Sequence, residues 1–93
     1  MRNPIINIDI ASNIIASLPK NEFNSHEFIK AFTDENPQIY NAIVARYRGN
    51  AIKIANQQIG SYLLYFSRWF TPRIEKVGTI RHNNSTCAEW RKE

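Results

Sequence analysis

Cysteine is almost absent from this 93-residue sequence: Cys87 stands alone. No intramolecular disulfide can form, and a lone thiol fits a reducing compartment. His26 and His82 lack spaced partners, so no Cys/His zinc set exists. Glycine occurs three times, and none of the three sits in a phosphate-cradling loop. No apolar run is long enough to span a bilayer. Near the N-terminus Arg2 is the one early cation, and Asp9 interrupts the apolar residues that follow. That pattern is neither a signal peptide nor a membrane span, and it predicts a cytoplasmic protein. No internal repeat or low-complexity tract is visible.

Apolar residues make up 43% of the chain and aromatics 12%, enough to build a core rather than leave the chain disordered. The length suits one domain over residues 1–93. The net charge of +4 is unevenly spread. Residues 1–45 hold three basic and five acidic side chains, a net −2; residues 46–93 hold nine basic and three acidic, a net +6. A one-sided basic field suits a polyanion partner, because each neutralised phosphate releases counterions; it also suits plain solubility.

Ile8, Ala11, Ile14, Ile15 and Leu18 recur at helical spacing, which predicts a first helix within Ile5 to Leu18, ended by Pro19. Residues 20–24 read as a connector with Phe23 plugging the core. Asn24 and Glu27 have capping-box spacing for a second helix, whose apolar face is Phe28, Ile29 and Phe32. Asn36-Pro37 starts a third helix carrying Ile39, Tyr40, Ile43, Val44 and Tyr47, with Gly49 as its C-terminal cap after Arg46 and Arg48. Residues 51–70 form the longest periodic segment. Ala55, Ile59, Tyr62, Phe66 and Trp69 share one side, while Lys53, Gln57, Gly60, Ser61, Leu64 and Arg68 point the other way, and Thr71-Pro72 stops the helix. The ending is β-leaning: Ile74 to Ile80, a tight turn at Asn83-Asn84, then Thr86 to Trp90 as the returning strand. The predicted class is mainly α with a C-terminal β-hairpin.

Three to four helices followed by a two-stranded hairpin is the element order of a winged helix-turn-helix. The segment Ala55-Asn56-Gln57-Gln58-Ile59-Gly60-Ser61-Tyr62-Leu63 resembles the start of that family's recognition helix. Ile74-Glu75-Lys76-Val77-Gly78-Thr79-Ile80-Arg81 and Cys87-Ala88-Glu89-Trp90-Arg91 look like its wing strands. Ile59-Gly60…Leu63 with Lys76-Val77-Gly78 is similar to winged-helix modules of phage and plasmid primases and replication proteins. The extra helix over residues 37–48 departs from the pattern. The resemblance implies a recognition helix at about 53–68 in the major groove, a basic wing at about 73–92 along the backbone or minor groove, and double-stranded DNA as the partner.

Asn56 and Gln57 carry the donor and acceptor that suit adenine edges, and Ser61 and Arg68 can also reach bases. Arg46, Arg48, Lys53, Arg73, Lys76 and Arg81 are the candidates for phosphate contact, with Arg91 and Lys92 adding to the field. Leu64, near the middle of the polar face, suits either a thymine methyl or burial by a second subunit. Ile5 and Ile6 are a candidate dimer surface. Tyr62, Phe66, Trp69, Phe70 and Trp90 read as core, and Tyr65 lies off it. Asp34 and Glu35 are adjacent on a helix and diverge, so they face no shared substrate. Cys87 has no histidine base in register and reads as a buried structural thiol. The sequence therefore predicts no enzyme, no metal or cofactor and no small-molecule substrate. It predicts a DNA-binding regulator of transcription or accessory factor of a mobile element. The rival is a winged-helix module that binds an acidic protein partner; single-stranded nucleic acid, read through Tyr65 and the wing, is a third reading.

Overall fold

The computed structural model describes residues 4–82 and 85–93. In chain order its elements are α1 (Ile8–Ser17), β1 (Glu22–Asn24), α2 (Ser25–Glu35), α3 (Pro37–Val44), α4 (Ala51–Tyr65), β2 (Ile74–His82) and β3 (Ser85–Lys92). Among the described residues the fold is thus four helices and a three-stranded antiparallel sheet of order β1–β3–β2. The expected α+β class and the C-terminal hairpin are both present. The connector expected at residues 20–24 is instead partly a strand. Glu22, Phe23 and Asn24 pair with Arg91, Trp90 and Glu89 of β3, a partnership about 70 residues away that no local pattern announces. The tight turn expected at Asn83-Asn84 lies outside the described residues.

Local chemistry sets most helix ends. The Asn7 side chain accepts from the Asp9 and Ile10 amides, so α1 starts at Ile8, within the expected stretch. Ile6, just before it, is buried at 1% exposure within the chain's own core, which removes it from the expected dimer surface. At α2 the capping box is complete. The Glu27 amide donates to Asn24 Oδ1 at 2.9 Å, and the Asn24 amide donates to Glu27 Oε1 at 3.0 Å. Phe28, Ile29 and Phe32 face the core as the spacing requires.

Two boundaries differ from the expected ones. α3 stops at Val44, and the Arg46 and Tyr47 amides bond three residues back to Ile43 and Val44, a tightening that keeps Tyr47 half-buried. Arg46 and Arg48 therefore sit on a connector rather than in a helix's last turn. Gly49, at φ +71°, turns the chain into α4 instead of capping α3. α4 in turn ends at Tyr65, short of residue 70. The chain must reverse there to enter β2, and the Ile74 amide donates back to the Ser67 carbonyl. The resulting bend keeps Phe66 and Phe70 buried but turns Trp69 out to 57% exposure, so Trp69 is not core. Arg68 likewise lies on this turn and not on the helix. The Thr71 amide, in the same connector, donates to the buried Ser12 hydroxyl of α1 at 3.0 Å.

The sheet is joined to the helices through Trp90. Its ring is buried, and its Nε1–H donates to Ser25 Oγ at the start of α2 at 3.0 Å. The Lys92 ammonium donates to the Leu18 carbonyl at 2.6 Å, which ties the end of β3 to the end of α1. Between Lys76 and Gly78 the β2–β3 register shifts by one residue, leaving Val77 as a bulge. Beyond the bulge, side chains 79–81 of β2 and 85–89 of β3 are exposed or half-buried. The distal strands thus extend past the core.

Tyr62 is buried, and its hydroxyl has no hydrogen-bond partner among the described residues. Burial raises its pKa well above the ordinary value near 10. Below pH ~10 both folded and unfolded chains keep this proton. Above it the unfolded chain ionises while the buried phenol does not, so stability is lost as pH rises, by up to ~1.4 kcal/mol per pH unit. Replacing Tyr62 with Phe should stabilise the fold by about 1 kcal/mol at neutral pH and flatten this alkaline loss, as read by urea unfolding at pH 7 and pH 11. Gly49→Ala should cost about 1 kcal/mol and lower Tm by several degrees, from the left-handed backbone alone, since among the described residues nothing beyond its chain neighbours lies within 4 Å of the added methyl group.

Candidate functional site

The concave face of the molecule is an open groove of about 1190 Å³. One wall is α4 and the residues leading into it, Gly49 to Leu64. The other is β3, through Ser85 to Ala88 and Trp90 but not Glu89, with Lys76 of β2. The N-terminus of α2 (Ser25, His26, Ile29) and Val44 complete the lining. The wall positions follow from the helical period. Ala55, Ile59, Tyr62 and Leu63 bury one face of α4 against the core, which leaves Lys53, Gln57, Ser61 and Leu64 exposed on the other. Gly60 also lines the groove, and a Cβ there would meet nothing within 4 Å. The small residue leaves space facing outward rather than relieving crowding within the fold.

Two cations line the groove, Lys53 and Lys76, and no Asp or Glu is among the lining residues. The first turn of α4 adds to this positive character. It contains no acidic residue, and Asn50 supplies no side-chain cap, so the helix amide dipole is not offset there. Across the groove His26 Nε2 lies 3.3 Å from Ser85 Oγ, so the start of α2 reaches the distal hairpin. The sequence pairs these residues with nothing: they are 59 positions apart.

The residues expected to bind nucleic acid divide into three groups. Lys53, Asn56, Gln57, Ser61 and Lys76 are brought together in the groove. Asn56 is half-buried, and its Oδ1 accepts from the Tyr40 hydroxyl at 2.8 Å, so α3 holds this amide in place. Gln57, exposed beside it, makes no hydrogen bond among the described residues. Arg68 and Arg73 line a smaller cleft of about 340 Å³ with Ser67, Glu75, Glu93 and again Lys76. Lys76 thus borders both depressions. Arg46 and Arg48, on the connector before α4, and Arg81, near the far end of β2, are exposed and line neither. None of these seven basic side chains forms an ion pair within 4 Å among the described residues, whereas Lys30 in the acidic half pairs with Asp34 at 2.8 Å.

Arg91 and Lys92 lie on β3, and of the two only Lys92 has a side-chain polar partner among the described residues. Arg91 stands between Glu22 and Glu75 across the sheet, and the Lys92 ammonium is held by the Leu18 carbonyl. Cys87 is half-buried rather than buried, because β3 beyond Trp90 rises above the core and turns this residue into the groove. Ile52, on the first turn of α4, is 62% exposed and lines the groove.

No helix among the described residues is long and apolar enough to cross a membrane, and no group of three or more His, Cys, Asp or Glu side chains there is placed to hold a metal ion. Because Cys87 lies on the groove wall, a maleimide should alkylate it in the native protein, and a ligand filling the groove should slow that reaction severalfold. Mass spectrometry with and without the ligand reads the effect; an unchanged rate at saturation would place the ligand elsewhere. Comparison of the chain with families of known proteins, with curated proteins and with solved structures finds no match in any of the three.

Proposed function

We propose that the chain is a winged helix-turn-helix that binds double-stranded DNA, with α4 as the helix that enters the major groove and β2–β3 as the wing. The extra helix α3 is a brace within this reading: it holds Asn56 through Tyr40 and lengthens the passage from α2 to α4. The observation that carries the proposal is the groove between α4 and the hairpin, which has a lysine on each wall and no carboxylate in its lining. A sugar–phosphate strand suits such a channel, because Lys53 and Lys76 neutralise phosphates from opposite sides. Gly60 leaves room for the strand to approach α4. Gln57 and Ser61, on the exposed face of α4, are the base-reading side chains. Arg46, Arg48, Arg68, Arg73 and Arg81 extend the positive surface beyond the groove, each replaceable alone. A role in transcription or in a mobile element belongs to this reading as its biological setting.

A second reading rests on a different observation. Tyr65 and Trp69 are 50% and 57% exposed, each packing edge-on against Phe66, and neither lines the groove. Such an aromatic patch suits a protein partner.

Fluorescence anisotropy with a labelled duplex of mixed sequence, titrated from low to physiological salt, tests the first reading. Non-specific binding should appear with Kd of about 10⁻⁴–10⁻⁶ M and weaken steeply with salt. Lys53→Ala and Lys76→Ala should each weaken binding to all sequences alike and reduce the salt slope by about 1. Gln57→Ala should change the ranking of sequences and leave the slope intact. A folded chain that ignores the duplex at low salt would sink the DNA reading and leave the protein-partner reading standing.

A further inference from the structure

We infer that the groove-facing side of α4 selects A·T-rich duplex, with Gln57 reading adenine and Leu64 packing on a thymine methyl. The inference rests on the DNA reading above and adds to it the class of sequence bound.

Two observations point the same way. The first is what α4 lacks. Guanine is read most often by the bidentate fork of arginine or by lysine. α4 has no arginine, and its one lysine, Lys53, lies in the first turn. The expected arginine reader, Arg68, is on the turn after the helix. Beyond Lys53, which the DNA reading assigns to phosphate, the helix presents amides, a hydroxyl and apolar groups to base edges. Adenine takes a paired donor and acceptor from an Asn or Gln amide. Of the three consecutive amides Asn56, Gln57 and Gln58, Gln58 does not line the groove and Asn56 already accepts from Tyr40, whereas Gln57 has both groups open among the described residues. Gln57 is the adenine reader.

The second observation is Leu64, which is 55% exposed on the groove wall. Gln57, Ser61 and Leu64 follow one another at spacings of four and three, so they lie along one stripe of the helix. A leucine costs free energy when left in water, and thymine is the base that offers a methyl group in the major groove. Leu64 and Gln57, two turns apart on one stripe, are complementary to a thymine methyl and an adenine edge a few steps apart. Arg81 on the distal hairpin adds to the preference, because the narrow minor groove of A-tracts concentrates negative potential.

Anisotropy competition with the full chain tests this. Three duplexes of equal length are compared at one salt concentration: A·T-rich, G·C-rich, and the A·T-rich sequence with uracil in place of thymine, which removes only the methyls. The A·T-rich duplex should bind on the order of tenfold more tightly than the G·C-rich one. The uracil duplex should lose about fourfold for each methyl contacted by wild-type protein, and nothing further with Leu64→Ala. Gln57→Ala should reduce the A·T preference while retaining the uracil effect. Equal binding of A·T-rich and G·C-rich duplexes, with a steep salt slope, would overturn the inference and leave the DNA reading intact. Equal binding of thymine and uracil duplexes would overturn the role of Leu64. Binding of no duplex would overturn both.

Discussion

The Trp90 indole is the contact on which the arrangement depends. β3 lies between β1 and β2, with Phe23 and Lys76 as the cross-strand neighbours of Trp90. The ring closes the core, and its N–H is satisfied by Ser25, the first residue of α2. An indole N–H buried without a partner would cost about 1–3 kcal/mol, so the hydrogen bond selects one docking of sheet on helix as well as stabilising it. The same short stretch, Asn24 to Glu27, carries the last residue of β1, the capping box and this acceptor. Strand, helix start and hairpin therefore meet at one joint. Remove it, and the groove loses the relation between its two walls.

From that joint the hairpin rises past the core, and the groove forms between it and α4. The bulge at Val77 allows this, since an extra residue in β2 sharpens the local twist where the buried base of the hairpin gives way to its exposed end. Charge follows the same division. The acidic surplus belongs to the N-terminal half, including Asp34 and Glu35 at the end of α2, while both groove lysines come from the C-terminal half. The cations that do have partners, Lys30 with Asp34 and Lys92 with the Leu18 carbonyl, do not line the groove. Among the described residues the seven basic candidates have no ion pair to break before meeting an anion. Because they are exposed and separate, each one contributes modestly, and the field comes from their sum.

Much of the fold was legible in the residues. The capping box at Asn24, proline at the start of α3, the apolar period of α4 and the terminal hairpin are where the pattern put them. Among the candidate site residues, those on α4 shared a face because the helical period dictates it. The errors are equally particular. Residues 20–24 contain too few side chains to declare a strand, so β1 was invisible. Trp69 fits the helical period of α4 and would be core if the helix continued. Cys87 read as buried because a strand pattern does not reveal how far a hairpin projects. Asn56 and Gln57 look alike as neighbours, and nothing nearby distinguishes the amide held by Tyr40 from the open one.

The sequence by itself determined the helix starts, the buried face of each helix, the basic bias of the second half and the presence of a hairpin. Caps, breakers and periodicity act over about four residues, and net charge needs no geometry. Tertiary structure alone decided the third strand, the early end of α4, the burial of Ile6 and the union of α4, β3 and Lys76 around one groove. These depend on contacts between distant residues: 16 apart for Tyr40 with Asn56, 65 for Ser25 with Trp90 and 74 for Leu18 with Lys92. At such separations the chain has many ways to place two segments, and it is the packing of one shared core that selects among them.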